Sequence, residues 1–246
     1  MPESPPYVHL HVHSEYSILD GACRIGPLVG RAADLGMPAV GLTDHGSMAG
    51  AVELTRAAGK AGVKPILGCE MYVVDDHANR VQKERRAHLT LLAETTEGYH
   101  NLVRLVSSAY LDGYWYRPRV DLEQLSAHAD GIIALSGCLS GRVCKALVEG
   151  DDGLARTELE RLADIFGRDD VYVELQDGGI DIQTQINPRL AALARDAGLP
   201  LAVCGPAPGA VPAALLDAAC APGYCGADLA LALRRLLAGA PPATAA

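Results

Sequence analysis

The chain has 246 residues, enough for one sizeable domain with a hydrophobic core. Its 30 acidic and 21 basic residues give a formal charge of −9, which excludes binding of nucleic acid through a broadly basic surface. The sequence has no long apolar run, and its start, MPESPPYVHL, lacks the basic and apolar regions of a signal peptide. We therefore expect a soluble, cytoplasmic protein that does not contact membranes.

Short apolar segments alternate with longer amphipathic segments over the first 204 residues. The apolar segments predict buried strands at 7–12, 38–43, 64–69, 88–93, 131–136, 171–175 and 199–204. The amphipathic segments predict helices at 25–36, 48–62, 153–167 and 184–198. The last helix is expected to start near Pro188, because proline does not fit a helix interior. This alternation predicts an α/β fold with a mainly parallel sheet, and it favours closure into a barrel over an open doubly wound sheet.

Side chains that can bind metal follow several of these strands. They are His11, His13, Asp20, Asp44, His45, Glu70 and Cys138. Because functional groups of βα folds gather where strands give way to loops, we expect these side chains to lie close together. Imidazoles and carboxylates suit Zn²⁺, Mn²⁺ or Fe²⁺, whereas Mg²⁺ prefers oxygen ligands. More ligands than one ion needs indicate two or three ions, an arrangement that hydrolyses phosphoesters.

Each of these residues alone has a simpler explanation, such as a cap, a turn or a buried ion pair. Only their coincidence at strand ends favours a metal site. His9 is expected to be a structural neighbour of His11. His88 opens its strand instead of ending it, so it has no place in the site unless that strand runs against its neighbours. Three further histidines are expected at the surface: His77, His100 and His128.

The segment AYLDGYWYRPRVD (109–121) holds four of the eleven aromatic residues of the chain, including its one tryptophan. Tyr116, Arg117 and Arg119 are candidates for nucleic-acid binding, because aromatic rings and guanidinium groups stack on and pair with single strands. A packed crossover between helix and strand is the alternative.

Six motifs, in the same order along the chain, resemble a known family. They are VHLHVHSEYSILDG, GLTDHGSMAGAVEL, GVKPILGCEMYV, HLTLLAETTEGYHNL, YWYRPRVD and GIIALSGCLSGRV. They look like the amino-terminal PHP (polymerase and histidinol phosphatase) domain of bacterial DNA polymerase III alpha subunits, and RPRVD and ALSGCLSG favour the replicative subunit over the error-prone paralogue. The similarity spans about residues 7–204.

The resemblance implies a distorted seven-stranded (β/α) barrel, the PHP fold, with a cluster of up to three divalent ions: Mn²⁺, Zn²⁺ or Mg²⁺. The implied metal ligands are His11, His13, Asp20, His45, Glu70, His88 and Cys138. Asp44 and His45 are implied at the catalytic centre, with Asp44 expected to support the site rather than bind an ion.

The resemblance also implies a role in bacterial DNA replication, as part of a DNA-directed DNA polymerase, a nucleotidyltransferase. The PHP site is then expected to hydrolyse phosphodiesters as a 3′–5′ exonuclease of the proofreading type. The implied partners are a DNA 3′ end and other subunits of the polymerase III holoenzyme. Two alternatives stay open: a non-catalytic scaffold within the polymerase, and a free-standing phosphatase of the histidinol-phosphatase type.

The end of the chain departs from the family. Where the family carries an Asp-x-His motif after the seventh strand, this sequence has Pro206 and Pro208. Residues 205–246 contain no histidine and fifteen alanines. We therefore expect a PHP domain at 1–204 and an Ala/Pro-rich tail at 205–246, from a truncated or frameshifted reading of a longer gene that lacks the polymerase catalytic region. Metal binding and activity are expected to be weakened. A genuine short, divergent protein is the alternative.

Overall fold

The computed structural model describes residues 7–80 and 86–204. Within this part of the chain the strands are β1 Ala39–Leu42, β2 Lys64–Val73, β3 Ala87–Ala93, β4 Arg119–Val120, β5 Ile132–Leu135, β6 Val171–Gln176 and β7 Leu201–Cys204. The helices are α1 Ile25–Asp34, α2 Ala51–Ala61, α3 Thr96–Leu111, α4 Leu122–Ala127, α5 Arg142–Val148, α6 Asp152–Phe166 and α7 Asp181–Ala197. Residues 205–246 lie outside the described residues, so the boundary after residue 204 stays a prediction.

The strands form one sheet in the order β1-β2-β3-β5-β6-β7, with β4 paired to β2. The pairs β1–β2, β2–β4, β5–β6 and β6–β7 are parallel. Only β3 is antiparallel to its neighbours β2 and β5. The prediction of a mainly parallel sheet is therefore confirmed, with one reversed strand.

The sheet curls around an apolar interior in a half-barrel form. The interior takes side chains from the amino-terminal segment and from six strands: Val8, Leu10, Ala39, Ile66, Leu92, Ile133, Leu135, Tyr172, Ala202 and Cys204. The opposite face of the sheet packs against the helices, with α1 and α2 over β1 and the remaining long helices over β2 to β7. Alternate residues of each strand thus face two apolar layers. The expected α/β class and distorted barrel are confirmed.

The predicted first strand, 7–12, is not a regular strand. Its backbone lies beside β1, where Gly41 N donates to His9 O at 2.7 Å and Thr43 N donates to Val12 O at 2.8 Å. Val12 N, however, donates to the side-chain Oγ1 of Thr43 at 2.9 Å. This side-chain bond interrupts the ladder, and the chain bends at His11. A Cβ at position 41 would lie 2.8 Å from Leu10 O, so glycine is what allows this close approach.

The prediction that the last helix starts near Pro188 is wrong, because Pro188 lies inside α7. Buried Ile186, Asn187 and Leu190 flank the proline. Asn187 Nδ2 also donates to Gln176 O at 2.9 Å, which ties this part of the helix to β6. These tertiary contacts outweigh the backbone hydrogen bond that the proline cannot make. No helix within the described residues combines the length and the apolar character needed to cross a membrane.

Candidate metal centre

The register of β2 and β3 brings the first polar side chains of the site together. Glu70 pairs with Thr90 and Tyr72 pairs with His88 across the two strands. Since residues two apart in a strand share a face, all four side chains point to the inner side of the curled sheet. The antiparallel direction of β3 puts its first residues beside the last residues of β2. His88 therefore lies at the edge of the sheet where the other candidate ligands gather.

Glu70 is the centre of the cluster, and it is 1% exposed. Its Oε2 lies 2.8 Å from His45 Nδ1 and 3.0 Å from His13 Nε2. Its Oε1 lies 3.0 Å from His88 Nδ1 and 3.5 Å from His11 Nε2. Burial opposes ionisation of this carboxyl, but the four imidazoles outweigh it and hold the pKa of Glu70 well below its usual range.

Two further carboxylates contact the same imidazoles. Asp20 Oδ2 lies 3.2 Å from His13 Nδ1 and 2.9 Å from His45 Nε2. Glu174 Oε1 lies 2.6 Å from His11 Nδ1. Burial lowers the pKa of His11, yet the Glu174 and Glu70 carboxylates outweigh burial and raise this pKa to about 10. The surroundings of the His11 imidazole thus stabilise positive charge.

The donor set fits divalent metal ions. Three overlapping groups each bring their ligand atoms within 4.8 Å of one another: His11, His13 and Glu70; His13, Asp20 and His45; and His45, Glu70 and His88. Glu70 Oε2 and His45 Nδ1 are buried and lie 2.8 Å apart, yet neither makes a hydrogen bond within the described residues. Two buried polar atoms in this relation are well placed to share a cation. Mixed imidazole and carboxylate ligands suit Zn²⁺ and Mn²⁺.

Cys138 completes the set of seven expected ligands in one cluster. Its Sγ lies 3.5 Å from Glu70 Oε1 and 3.7 Å from His88 Nδ1, and it accepts a hydrogen bond from Ser140 N. Burial and the Glu70 charge raise the pKa of this thiol to about 12. Since metal ligation needs the thiolate, a cation close by is required before Cys138 can serve as a ligand.

Asp44 lies beneath the cluster and is 1% exposed. Its Oδ1 accepts from Ser14 N and Ser17 Oγ, both at 2.7 Å, and its Oδ2 accepts from Ser14 Oγ at 2.8 Å. Ser17 Oγ in turn accepts from His45 N at 3.1 Å. Asp44 thereby fixes the loop between His13 and Asp20 against the end of β1, which is a supporting position.

The nucleic-acid candidates divide into two groups. Tyr116 is 71% exposed, and Arg117 lines a cavity of about 380 Å³ together with Arg86 and the cluster residues Asp20, His45 and His88. The expectation that Arg119 binds nucleic acid is corrected, because this residue is buried, with 1% of its surface exposed. Its guanidinium donates to three backbone carbonyls: Gly113 O at 2.9 Å, Asn79 O at 3.0 Å and His77 O at 2.7 Å. Arg119 therefore holds loops together and is not available to a ligand.

The remaining histidines lie outside the cluster. His9 packs edge-on against Tyr7, with ring centroids 4.8 Å apart. His100 is exposed, as expected. His77 is not a free surface residue: its side chain is 27% exposed, and Nδ1 lies 2.5 Å from Asp121 Oδ2. His128 is half-buried and contacts the carbonyl oxygen of Gln124.

Sequence reasoning missed Glu174, which is as buried as Glu70. A signal was present, since Glu174 stands near the end of the predicted strand VYVEL, where the strand-end rule applies equally. Gln176, two residues further on the same face, donates from Nε2 to Glu174 Oε1 at 2.8 Å. These two residues extend the polar side of the cluster along β6.

Residues 9–178 match the family model described as the PHP domain. The chain belongs to the PHP domain family. Among curated relatives of this PHP chain are DNA polymerase III alpha subunits. The one from Treponema pallidum is 42% identical over 201 residues, covering 80% of this chain and 17% of the relative. The subunit from Deinococcus radiodurans is 42% identical and covers 78% of this chain and 15% of the relative. The subunit from Thermus aquaticus is 41% identical and covers 78% of this chain and 16% of the relative. The chain thus spans about a sixth of the length of these relatives.

Two solved structures are also similar to the PHP chain. A proposed metal-dependent phosphoesterase from Bifidobacterium adolescentis has a TM-score of 0.49 and 16% identity, covering 82% of this chain and 87% of that one. An amidohydrolase from Chromobacterium violaceum has a TM-score of 0.45 and 16% identity, covering 81% and 88%.

Proposed function

We propose that this PHP site hydrolyses phosphodiester bonds with the help of up to three divalent ions, Mn²⁺, Zn²⁺ or Mg²⁺. The observation that carries the proposal is the convergence of four imidazoles on the buried carboxylate of Glu70, with Asp20 and Glu174 on either side. Three carboxylates in so small a space need compensating positive charge, which the family relationship suggests is metal.

The residues that would hold the ions are those of the three overlapping groups, His11, His13, Asp20, His45, Glu70 and His88, with Cys138 beside them. Divalent ions bound there would lower the pKa of a water molecule and stabilise charge on phosphate oxygens. Asp44 fixes the loop between His13 and Asp20, so its role in the proposal is positioning.

Two arginines give the site a place for an anionic substrate. Arg86 and Arg117 line the 380 Å³ cavity with the cluster residues Asp20, His45 and His88. In a chain of charge −9, cations at the mouth of the site are what would attract a phosphate locally. Guanidinium groups also match the geometry of phosphate oxygens.

The finer proposal is a 3′–5′ exonuclease that acts on a DNA 3′ end and belongs to a replicative polymerase in the bacterial cytoplasm, in contact with other holoenzyme subunits. Its support is the similarity to DNA polymerase III alpha subunits at about 40% identity. The sequence after Cys204 lacks the Asp-x-His motif that the family resemblance leads us to expect, which favours reduced activity.

The test is hydrolysis of 3′-labelled single-stranded DNA with added Mn²⁺ by the wild type, His13→Ala and His100→Ala. His13 contacts Glu70 and Asp20, whereas His100 is an exposed histidine outside the cluster. The proposal expects cleavage by the wild type and by His100→Ala, and its loss in His13→Ala. Equal rates for the two histidine variants would refute it.

The missing Asp-x-His motif also favours a second candidate, a non-catalytic scaffold that stabilises the polymerase or docks another subunit. A metal content of at least one ion per chain without turnover of DNA would support the scaffold. Rapid turnover of small phosphomonoesters, with none of DNA, would instead support a free-standing phosphatase of the histidinol-phosphatase type.

A further inference from the structure

A groove rich in tyrosine adjoins the metal cluster. We call it the tyrosine groove and define it by Tyr16, Tyr72, Tyr110, Tyr114, Tyr116 and Arg117. Its volume is about 240 Å³. His45, Tyr72 and Arg117 line both this groove and the 380 Å³ cavity over the cluster. The groove and the metal cluster are therefore neighbouring parts of one surface.

Four of the five tyrosines of the groove are exposed, and the fifth, Tyr72, is buried beside the cluster. Five of the nine tyrosines of the chain line it, and Tyr110, Tyr114 and Tyr116 are 49%, 50% and 71% exposed. At its edge, Ile18 and Leu19 are 89% and 79% exposed. Because clustered exposed apolar groups mark interaction sites, this concentration indicates a ligand with flat apolar surfaces.

The backbone at Tyr116 supports the same conclusion. Tyr116 has a φ of 60°, the only positive φ of a non-glycine residue among the described residues. Trp115 N donates to Arg117 O at 3.0 Å, so the turn is closed around Tyr116. A left-handed conformation is costly for a bulky side chain and is retained where the surrounding structure enforces it. Here the turn holds a ring that is 71% exposed at the groove, where its ring contact is with Trp115 at 5.0 Å between centroids.

Arg117 lies between the aromatic surface and the cluster. Its Cζ is 5.9 Å from the centroid of the Tyr72 ring, and that ring stacks on His45 with centroids 5.6 Å apart and planes 14° apart. A guanidinium group next to exposed aromatic rings matches a polynucleotide, because its phosphates alternate with bases that can stack on the rings. A peptide segment would use the aromatic faces, but it offers no regular anion for Arg117.

We infer that the tyrosine groove binds nucleobases of a single-stranded polynucleotide whose terminal phosphodiester lies at the metal cluster. The inference rests on the proposed phosphodiester hydrolysis and specifies its substrate. Bases stack on the exposed rings of Tyr114 and Tyr116, and Arg117 contacts the backbone phosphate between the groove and the cluster. Such stacking tolerates any base sequence, because every base has an aromatic face.

The test uses two fluorescent oligothymidylates. Their binding to the full chain in the presence of Mn²⁺ is measured by fluorescence anisotropy. Both carry a phosphorothioate at the 3′-terminal linkage to slow cleavage, and one has abasic residues at its last three positions. Each stacked base contributes roughly 5- to 150-fold, so the wild type is expected to bind the oligonucleotide with bases at least roughly 5-fold more tightly than the abasic one. Tyr114→Ala and Tyr116→Asn are expected to lose most of this preference. Asparagine is chosen because it tolerates the left-handed backbone.

The controls separate stacking from folding. Tyr116→Phe retains the aromatic face and is expected to keep the preference. Leu35→Ala removes an apolar side chain that is 50% exposed at the carboxyl end of α1. This variant is expected to bind both oligonucleotides as the wild type does. Circular dichroism of each variant establishes that it is folded before binding is measured.

The inference is overturned if the wild type binds both oligonucleotides equally, or if Tyr116→Asn keeps the wild-type preference. It is also overturned if neither oligonucleotide binds and the tyrosine variants instead change self-association in sedimentation, which would make the groove a protein contact. Cleavage of unmodified DNA is measured separately. Base-dependent binding without cleavage would sink the proposed hydrolysis and leave the groove assignment standing, whereas cleavage without base dependence would do the reverse.

Discussion

Replacement of Glu174 by glutamine tests whether this carboxylate holds His11 in position to bind a cation. Glu174 is 1% exposed, and its Oε1 lies 2.6 Å from His11 Nδ1. The other ring nitrogen, Nε2, faces Glu70 at 3.5 Å. A carboxylate on one ring nitrogen fixes the orientation of the imidazole and makes the opposite nitrogen a better ligand.

The size of the effect follows from what glutamine retains. Its carbonyl oxygen can still accept from His11 Nδ1, so Glu174→Gln removes the charge and keeps the hydrogen bond. Charged hydrogen bonds contribute about 1.5–3 kcal/mol and neutral ones about 0.5–1.5 kcal/mol. The difference of about 1–1.5 kcal/mol corresponds to roughly tenfold weaker binding of Mn²⁺. Glu174→Ala removes the bond as well, and the loss is expected to approach about 100-fold.

Isothermal titration of Mn²⁺ into each purified variant measures these affinities. The matched control is Glu158→Gln, because Glu158 is also buried but its ion pairs are with Arg161 at 2.8 Å and Arg142 at 3.7 Å, not with an imidazole of the cluster. The control is expected to bind Mn²⁺ as the wild type does. Wild-type affinity in Glu174→Gln, or an equal loss in the control, would refute the positioning role of Glu174.

Three further predictions concern stability. Arg119→Met is expected to lower the unfolding free energy by at least about 3 kcal/mol in urea denaturation, because each of three carbonyls that lose their donor costs about 1–3 kcal/mol. A loss below about 1 kcal/mol would contradict this. Burial raises the pKa of Asp121, but hydrogen bonds from His77 and Gln124 N outweigh burial and lower it. Its folded pKa thus lies below the unfolded value near 3.9, so its contribution is complete at neutral pH and is lost as the pH falls through and below about 4. Acid titrations monitored by circular dichroism should show that Asp121→Asn loses less stability over this pH range than the wild type does. Finally, Mn²⁺ at 100 times its Kd is expected to raise the Tm of the wild type by about 5–10 °C, and that of His13→Ala by less; an unchanged wild-type Tm would count against a metal site.

The gathering of the candidate ligands could be predicted because it depends on a general property of βα folds. His45 and Cys138 each follow a strand, Glu70 lies in the second half of β2, and these parts of the strands meet at one edge of the sheet. His88 could not be placed this way from the residues alone, since strand direction is set by pairing with distant segments. The apolar segment HLTLLA reads the same whether it runs with its neighbours or against them. Only the pairing of β3 with β2 and β5 decides the question.

Arg117 and Arg119 show a second limit of sequence reasoning. They are two residues apart beside the same aromatic residues, and the sequence gives no reason to separate them. In the structure, the left-handed turn at Tyr116 leaves Arg117 over the ring of Tyr72. Arg119 instead enters β4, where its guanidinium reaches carbonyls of residues 77, 79 and 113. Those carbonyls are brought together by tertiary structure, so no local sequence pattern predicts that they surround Arg119.

His11 and His13 are two residues apart, a spacing that places side chains on one face of a strand, but this segment is not a regular strand. Regular strand residues two apart lie about 6.6 Å apart along the chain. The bend at His11 instead brings His11 Nε2 within 3.3 Å of His13 Nε2, close enough for both rings to contact Glu70. That bend coincides with the place where Thr43 Oγ1 replaces a backbone acceptor for Val12 N. Thr43, which is not among the candidate ligands, therefore helps to shape the cluster. For this reason, a list of metal-binding side chains predicts which residues form the site better than it predicts the geometry of the site.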